Sequence, residues 1–461
     1  MKILLINAPY TFPDAEIHRT EMLGIEYLSS SLKQAGFKVF IYDPTLTRSE
    51  KIINGLYYYG EDNNTILDVI NSIQPDCIGI SCHYSFSSEN VYSLTKDIKE
   101  KYKNIKIILG GLFVSIHGKK ALLECDAIDF GIKGESEKTL VQLLYSNFTD
   151  MTIEGLIYRE NSFIIENDKK HYIEILDSLP FPDRDIPNRN NYMLGTVNKL
   201  LYGLGFKPAL SLLTSRSCPN RCSFCNMNLV HGPRWRKRSS DNVIEEIDIM
   251  INKYKAEHVF IMDDNFTFNI NRVKNICTKI IANNYKFRWN TPNGISVKNI
   301  DIETAELMKK AGCANVFIAI ESGNEYMRNV IMNKKVSNDE IISAVECFNK
   351  VNIPVTGAVI TGMQGETKEI ADDSYNFLKS LKLTSIIVSF ATPFPGTKMR
   401  NDLEEKGIIK KDLKIKMDNY KLPVFLTDDF SVNDLLKRKN DIKNLFSNLK
   451  VLEEIEKNEN C

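Results

Sequence analysis

The chain has 461 residues, of which 43% are hydrophobic and 26% are charged, and its 59 Lys and Arg residues balance its 59 Asp and Glu residues. This composition excludes a collagen-like, coiled-coil or disordered chain, and at ~150 residues per domain the length predicts about three domains or sub-domains. Zero net charge gives no electrostatic reason to expect a nucleic acid or a membrane surface as a partner. No apolar stretch reaches the ~20 residues of a membrane span, and Met1–Asn7 is too short for the apolar part of a secretion signal, so the expected location is the cytoplasm.

The first 150 residues alternate between short apolar runs and amphipathic stretches. Val91, Leu94, Ile98 and Tyr102 recur with the spacing of one helix face, and the apolar runs around them indicate strands. The predicted strands are Lys2–Asn7, Phe37–Tyr42, Cys77–Cys82, Ile105–Leu109 and Ala127–Ile132. The repetition predicts an α/β domain over residues 1–150 with a doubly wound, Rossmann-like parallel sheet. Ligands of such sheets bind beyond the carboxyl ends of the strands.

Residues 151–206 have a different character. Ile153–Tyr158 and Phe163–Glu166 flank a polar turn and predict a β-hairpin. Leu179–Pro187 contains three prolines in nine residues, so a helix cannot run through it. We therefore predict a hairpin and a proline-rich linker between two domains.

Residues 207–398 return to the alternation of strand and helix. The predicted strands are Ala209–Thr214, His258–Met262, Phe287–Asn290, Val316–Ile320, Val355–Ile360 and Ser385–Phe390. These β/α units predict a partial (β/α)6 barrel, whose chemistry lies at the carboxyl ends of the strands. Residues 399–461 predict a short C-terminal helical segment, because apolar residues from Leu435 to Ile455 form one stripe.

Three of the ten cysteines, Cys218, Cys222 and Cys225, fall within eight residues. In a chain with too few cysteines for a disulfide scaffold, such crowding indicates a metal or redox site. The C-x3-C-x2-C spacing lets one loop place three thiolates around one side of a cubic iron–sulfur cluster, and thiolate is the ligand that these clusters take. Three ligands leave the fourth iron open. Two alternatives to an iron–sulfur cluster stay open: a zinc site with His231 as the fourth ligand, and three buried thiols without a metal.

The cysteine loop resembles that of the radical S-adenosylmethionine (SAM) superfamily, in which this spacing, with an aromatic residue before the last cysteine, follows the first barrel strand. Segments at four later strands are similar to the family as well: Met262–Thr267, Ile318–Gly323, Gly357–Thr367 and Ala391–Thr397. The resemblance implies that Cys218, Cys222 and Cys225 hold a [4Fe-4S] cluster. It further implies that this cluster cleaves SAM to a 5′-deoxyadenosyl radical.

The same resemblance implies which residues contact SAM. Asp263, Asp264 and Asn265 stand where the family binds the methionine amine, and Glu321 and Ser322 stand where its ribose and carboxylate contacts lie. The segment from Gly357 to Glu366 resembles the G-x-I-x-G-x-x-E motif beside adenine, although Gln364 stands where proline is common. The SAM contacts implied in this way are Phe224, Asp263, Asp264, Asn265, Glu321, Ser322, Gly357, Ile360 and Glu366.

The N-terminal half is similar to the subgroup of this family that carries a cobalamin-binding domain before the barrel. Gly24–Leu28, the Gly110-Gly111 pair, Gly134–Glu137 and the proline-rich linker carry that resemblance. The D-x-H-x-x-G motif, whose histidine binds cobalt from below, is absent here, as it is in many members of the subgroup. The cobalamin contacts that the resemblance implies are Pro9, Tyr10, Asp43, Ser81, His83, Gly110, Gly111 and Glu135.

The first functional hypothesis is therefore a radical SAM enzyme that transfers a methyl group, with cobalamin, to an unactivated centre of a small substrate. The second hypothesis is a radical SAM enzyme with the same cobalamin-binding domain that catalyses cyclisation, ring rearrangement or carbon–carbon coupling without methyl transfer. The third hypothesis is a non-catalytic zinc-binding module. For either enzyme we expect an electron donor such as flavodoxin or ferredoxin.

Overall fold

The computed structural model describes residues 1–12, 21–46, 52–53, 55–187, 189, 209–415 and 422–446. The chain divides into two compact units. The first unit contains Met1–Gly195 and Asn226–Arg234, and the second contains Thr196–Cys225 and Trp235–Cys461. The four-part division at residues 150, 206 and 398 stays a prediction. No helix in the described ranges is long and apolar enough to cross a membrane.

The first unit is built on a seven-stranded sheet in the order β10-β9-β8-β7-β6-β1-β3. The strands of this unit are β1 (Lys2–Asn7), β2 (Tyr10–Phe12), β3 (Lys38–Tyr42), β4 (Ile52–Ile53), β5 (Leu56–Tyr59), β6 (Cys77–Ser81), β7 (Lys106–Gly110), β8 (Phe130–Ile132), β9 (Leu156–Glu160) and β10 (Phe163–Glu166). Strands β3, β1, β6, β7 and β8 are parallel, which confirms the predicted doubly wound sheet.

Two further features of this unit go beyond the expected sheet. The predicted hairpin, β9 and β10, pairs antiparallel with β8, so the sheet continues into the segment that the sequence assigns to a connection. Strands β2, β5 and β4 form a small antiparallel sheet that no sequence pattern indicated, since each is only two to four residues long. Leu179–Pro187 contains no α-helix or strand, and the end of the predicted linker, residues 190–206, lies outside the described residues.

Helices cover both faces of the first sheet. They are α1 (Leu23–Gln34), α2 (Asn63–Ile73), α3 (Ser88–Lys101), α4 (Leu112–His117), α5 (Lys120–Leu123), α6 (Glu137–Tyr145) and α7 (Asn228–His231). Leu4 and Ile6 of β1 share a core with α2 and α3, whereas Ile3 and Leu5 share another with α1 and α6. Successive residues of a strand face opposite sides of its sheet, so β1 is buried on both faces. Helix α7 packs on α4, although 110 residues or more separate them in the chain.

The second unit contains a six-stranded parallel sheet in the order β11-β14-β15-β16-β17-β18. Its strands are β11 (Ala209–Leu212), β12 (Ser215–Arg216), β13 (Arg236–Lys237), β14 (His258–Ile261), β15 (Arg288–Ile295), β16 (Cys313–Glu321), β17 (Val355–Thr361) and β18 (Ser385–Phe390). This order confirms the predicted partial (β/α)6 barrel. Strands β12 and β13 form a separate antiparallel pair: β12 lies directly before the cysteine loop, and β13 follows the loop and helix α7.

The helices of the second unit begin at side chains that bond to their first turn. They are α8 (Ser240–Asn252), α9 (Ile270–Ala282), α10 (Ile302–Lys310), α11 (Asn338–Lys350), α12 (Lys368–Ser380), α13 (Lys398–Glu405) and α14 (Val432–Asn444). Each follows a Ser, Thr, Asp or Asn whose side chain accepts a hydrogen bond from a first-turn N–H. The predicted C-terminal stripe is helical to Asn444, and its part from Leu449 to Ile455 lies outside the described residues.

Candidate functional site

The cysteine loop follows β11 and β12 at the carboxyl end of the first barrel strand, where the sequence placed it. Cys218 and Cys222 are half-buried, Cys225 is exposed, and the Cys225 N–H donates to Cys222 O at 3.1 Å. Among the described residues, no group of three or more His, Cys, Asp or Glu side chains is arranged to hold a metal ion. The thiolates of a cubic cluster bind different iron atoms, so they need not converge on one point as the ligands of a zinc ion do.

The loop is fixed in place by hydrogen bonds to two later elements of the second unit. The Ser223 N–H donates to Met332 O at 2.9 Å, and the Met399 N–H at the start of α13 donates to Ser223 O at 2.8 Å. The Asn333 side chain also donates to Arg221 O at 2.8 Å. The conformation of the cysteine loop therefore depends on residues more than 100 positions further along the chain.

Asp263 and Asp264 hold the chain that leads into the loop. The buried Asp263 carboxylate accepts hydrogen bonds from Thr214 N at 2.6 Å, Thr214 Oγ1 at 2.5 Å and Ser215 Oγ at 2.6 Å. Asp264 accepts one from Ser217 N at 3.0 Å, directly before Cys218. In this structure both carboxylates position the cysteine loop, and their predicted contact with SAM stays a prediction.

Asn265 connects the same strand end to a cysteine. Its Nδ2 lies 3.6 Å from Cys218 Sγ, and the indole of Trp235 donates to its backbone carbonyl at 3.2 Å. The side chain is buried, yet Oδ1 has no hydrogen-bond partner among the described residues. A buried amide oxygen without a partner costs about 1–3 kcal/mol. A ligand that donates a hydrogen bond at this point, such as an ammonium group, would satisfy it.

Glu321 lies at the end of β16 in a backbone conformation that few side-chain-bearing residues adopt. Its φ is +64°, next to a break in the register between β16 and β17. The carboxylate pairs with Lys334 Nζ at 2.8 Å. Such strained conformations concentrate at functional sites, where the surrounding structure enforces them.

Lys334 belongs to the candidate site, although no sequence pattern indicated it. Burial raises the pKa of the Cys222 thiol to about 12, and the Lys334 ammonium opposes that rise, so the cation favours the thiolate. Burial also acts to lower the pKa of Lys334, but Glu321 and Cys222 outweigh it and the pKa is raised. Nothing in a Lys-rich stretch of sequence distinguishes this lysine, because its position depends on how the β16–α11 connection folds back.

The buried guanidinium of Arg328 organises that connection. It donates to Ser322 O at 2.7 Å, to Val336 O at 2.8 Å and to the Asn338 side chain at 2.7 Å. These bonds tie the end of β16 to the segment that carries Lys334. Ser322 is itself buried, and its Oγ accepts from Asn324 N at 3.2 Å.

The segment from Gly357 to Glu366, predicted to lie beside adenine, makes packing contacts and hydrogen bonds to the backbone. A side chain at Gly357 would place Cβ 2.8 Å from Leu383 Cδ1, so the Leu383 side chain would have to shift to make room for it. Glu366 accepts from Gly362 N at 2.5 Å, and burial raises the pKa of its carboxyl to about 6. Ile360 is half-buried, and both it and Phe224, two predicted SAM contacts, pack against the same apolar cluster.

In the first unit, the two glycines at the end of β7 differ: Gly110 is the last residue of the strand, and Gly111 follows it. Gly111 has φ +97°, and a Cβ there would lie 2.7 Å from Cys82 O, so the protein itself requires this glycine. Gly110 has no such φ, and a Cβ there would meet nothing within 4 Å. An open space at a glycine that the fold does not require is suited to a ligand that approaches the backbone closely.

The other predicted cobalamin contacts fall into three groups within the first unit. Asp43 accepts from Asn7 Nδ2 at 3.1 Å and from Thr45 Oγ1 at 2.6 Å, which fixes the end of β3. Glu135 accepts from Ile173 N at 2.8 Å and so holds a segment after the sheet. The remaining residues lie at or after the ends of β1, β6 and β7. Pro9 packs on Gly60, and Ser81 pairs with Gly110 in the sheet. The rings of Tyr10 and His83 both contact the Tyr84 ring.

Comparison with known families agrees with both halves of this arrangement. Residues 212–378 match the family described as the Radical SAM superfamily, and residues 18–144 match the B12 binding domain. The chain therefore carries a radical SAM domain, and a B12 binding domain precedes it in the sequence.

Individual relatives extend over most of the chain. An uncharacterized methyltransferase of Pyrococcus horikoshii is 29% identical over 406 residues, which cover 87% of this chain and 82% of the relative. The anaerobic magnesium-protoporphyrin IX monomethyl ester cyclase of Cereibacter sphaeroides is 23% identical over 418 residues, or 88% of this chain and 64% of the cyclase. The solved structure of the radical SAM methyltransferase TsrM of Kitasatospora setae, with cobalamin and a [4Fe-4S] cluster bound, covers 88% of this chain and 78% of its own at a TM-score of 0.70 and 18% identity. That similarity establishes the fold.

Proposed function

We propose that this protein is a cobalamin-dependent radical SAM methyltransferase that acts on an unactivated centre of a small molecule. The observation that carries the proposal is the combination, in one chain, of three thiols at the end of the first barrel strand with an open glycine at the edge of a B12-binding sheet. The similarity to a methyltransferase over 87% of the chain supports methyl transfer as the outcome.

In this proposal Cys218, Cys222 and Cys225 hold a [4Fe-4S] cluster, and the fourth iron takes SAM. The cluster, SAM and cobalamin supply the radical and methyl-transfer chemistry, while the protein supplies binding, orientation and exclusion of water. Lys334 places a positive charge beside Cys222, and the Asn265 amide donates toward Cys218 Sγ. Charge and hydrogen bonds around the sulfurs of such clusters tune their reduction potentials.

SAM itself would be bound by the remaining groups at the strand ends. The Asn265 Oδ1 atom is free to accept from its ammonium group, and Glu321 and Ser322 take the ribose and carboxylate. Ile360 and Phe224 form an apolar wall for adenine, and Gly357 and Glu366 keep the turn of β17 in place. Asp263 and Asp264 contribute by holding the loop that carries Cys218.

In the first unit, the space at Gly110 would take part of the cobalamin, beside Pro9, Tyr10, Asp43, Ser81, His83, Gly111 and Glu135. An electron donor such as flavodoxin or ferredoxin completes the proposal, because the cluster must be reduced before each reaction. We place the reaction in the cytoplasm, where both donors occur.

The second candidate is a radical SAM enzyme with the same cofactors that forms or rearranges rings without methyl transfer. The similarity to an anaerobic cyclase over 88% of this chain favours keeping it. The two candidates differ in the product, since only methyl transfer adds the mass of one CH2 group. Incubation with SAM carrying a ¹³C-labelled methyl group distinguishes them, because the label enters the product in the first case alone.

The proposal is tested by anaerobic purification with added cobalamin, followed by iron, sulfide and cobalt analysis. We expect equal iron and sulfide, four of each per chain, with one cobalt. Cys222→Ala should lose the visible absorbance of the cluster and all deoxyadenosine formation while the chain stays folded, because a thiolate ligand is missing. Cys347→Ala is the matched control, since Cys347 lies half-buried on α11 and should leave both unchanged. Continued SAM cleavage by Cys222→Ala would contradict the cluster assignment.

A further inference from the structure

Two aromatic rings contact each other at the surface of the second unit, close to the cysteine loop. Trp235 directly precedes β13, and Phe268 lies in the connection that follows β14. Their ring centroids are 5.0 Å apart at an interplanar angle of 65°. The Trp235 side chain is half-buried, whereas Phe268 is 48% exposed. Exposed aromatic rings of this kind are enriched where one protein docks on another.

The two rings are connected to a cysteine of the loop through Asn265. The Trp235 indole donates to Asn265 O at 3.2 Å, and Asn265 Nδ2 lies 3.6 Å from Cys218 Sγ. A chain of three contacts therefore leads from the exposed Phe268 ring to a proposed cluster ligand. Electron transfer slows steeply with distance, so a short path of this kind is a place where an electron can enter from another protein.

Positive charges lie beside this path. The neighbours of Lys237 on both sides are buried arginines, whereas Lys237 is exposed and Trp235 is half-buried. Alternate residues of an extended chain face the same side, so Lys237 and Trp235 share one side of β13. Lys237 has no ion-pair partner among the residues that the structure describes. Arg221, inside the cysteine loop, is also exposed, and it donates to Cys218 O at 3.2 Å.

We propose that an acidic flavoprotein of the flavodoxin class delivers its electron at a docking surface formed by Arg221, Trp235, Lys237 and Phe268. This inference rests on the proposed function, because it needs a [4Fe-4S] cluster at the three cysteines. The apolar edge of the flavin meets the two rings, and acidic side chains around the flavin meet the two cations. The anionic flavin hydroquinone loses one electron and becomes the neutral semiquinone, and the cluster gains that electron. No bond is formed or broken, and no proton moves.

The test is the rate at which fully reduced flavodoxin bleaches the visible absorbance of the cluster in the full-length protein. Phe268→Ser should slow this reduction about tenfold, because it removes a ring from the middle of the docking surface. Lys237→Glu should slow it about tenfold at low salt and much less at high salt, because salt screens the attraction between the two proteins. Binding of oxidised flavodoxin, measured by titration calorimetry, should weaken in both variants.

The chain offers a matched control for each substitution. Phe163→Ser removes a ring that is 71% exposed on β10 of the first unit, outside the second unit that carries the cysteine loop. Lys382→Glu reverses an exposed charge directly before β18, at the amino ends of the barrel strands rather than the carboxyl ends. Both controls should be reduced by flavodoxin at the rate of the unsubstituted protein.

Dithionite separates docking from the properties of the cluster, because this small ion needs no docking surface. Phe268→Ser and Lys237→Glu should be reduced by dithionite at the unsubstituted rate and should keep their iron content. Slower reduction by dithionite would mean that the substitutions disturb the cluster itself, and this would overturn the inference. Unchanged rates with flavodoxin in both variants would also overturn it, as would faster reduction of the unsubstituted protein by a ferredoxin; both results leave the proposed function intact. A protein that assembles no cluster would contradict the proposed function and this inference with it.

Discussion

At the residue scale, buried charged side chains hold the cysteine loop by hydrogen bonds to the chain segment that leads into it. Arg272 donates to Thr214 O at 2.6 Å and to Arg238 O at 2.9 Å, while Asp263 accepts from Thr214 and Ser215 on the same chain segment. Loss of one partner in such a network leaves buried polar groups unsatisfied, at about 1–3 kcal/mol each. The sequence could show that acidic residues follow β14, but the groups to which they bond become visible only in three dimensions.

Glu366 should make stability depend on pH. Burial raises the pKa of its carboxyl from 4.5 to about 6, against the opposing effects of the Gly362 N–H and of Arg438. Compared with the unfolded chain, the folded state therefore favours the protonated, neutral form of the Glu366 carboxyl. The associated stability is complete below pH 4.5 and is lost as pH rises through 6, about 2 kcal/mol for a shift of about 1.5 units.

Glu366→Gln removes that titration and keeps an oxygen that can accept from Gly362 N. The difference in free energy of unfolding between the variant and the unsubstituted protein should therefore grow in favour of the variant by about 2 kcal/mol between pH 4.5 and 7. Denaturant unfolding at several pH values measures it. Parallel pH profiles for the two proteins would show that the Glu366 carboxyl does not titrate differently on folding.

At the scale of secondary-structure elements, the sequence predicted the strands and helices whose positions follow from hydrophobic periodicity. All the strands expected in the two parallel sheets are present, because each is an apolar run bounded by polar or glycine-containing turns. Strands β2, β4, β5, β12 and β13 were missed, since two to four residues carry no readable period. The strained Glu321 and the buried Lys334 were equally invisible as such, because both depend on the break in register at the end of β16.

Gly110, the last residue of β7, provides a direct test of the proposed cobalamin site. A side chain at Gly110 meets no protein atom within 4 Å, and valine suits the extended backbone of a strand end. Gly110→Val should therefore fold with nearly unchanged stability and the same cluster content. Its cobalamin content after purification should fall at least tenfold, because the added methyl groups would occupy the space that we propose for the cofactor.

Gly111→Val is the contrasting variant for that experiment. Valine there must adopt φ +97° and place Cβ 2.7 Å from Cys82 O, so the fold itself should lose roughly 3 kcal/mol or more. Thermal unfolding of the two variants without cobalamin measures the difference. Equal cobalamin retention by Gly110→Val and the unsubstituted protein would move the cofactor away from this turn.

At the scale of the whole molecule, the chain has two units with separate hydrophobic cores. The first unit buries the two faces of its parallel sheet, and the second contains its own clusters around Met327 and Met399 and around Phe390 and Leu435. Units of this kind can unfold in separate transitions, and a ligand raises only the transition of the unit that binds it.

Calorimetry of the full chain should therefore resolve two transitions. Cobalamin at about 100 times its dissociation constant should raise one by roughly 5–10 °C, since it adds about 2.7 kcal/mol to a unit of about 200 residues. SAM, added to protein with its cluster, should raise the other. A single transition, or equal shifts of both transitions with cobalamin alone, would show that the two units do not respond independently.

The segment Asn226–Arg234 determines when the first unit can finish folding during translation. It belongs to the first unit, where Gly232 lies against the Tyr172 ring and Val230 lies near Gly134. A ribosome has already added Cys218, Cys222 and Cys225 before it reaches this segment. The first unit of a nascent chain therefore stays unfinished until the three thiols proposed to hold the cluster have been synthesised, so its last segment leaves the ribosomal exit tunnel directly after the cysteine loop.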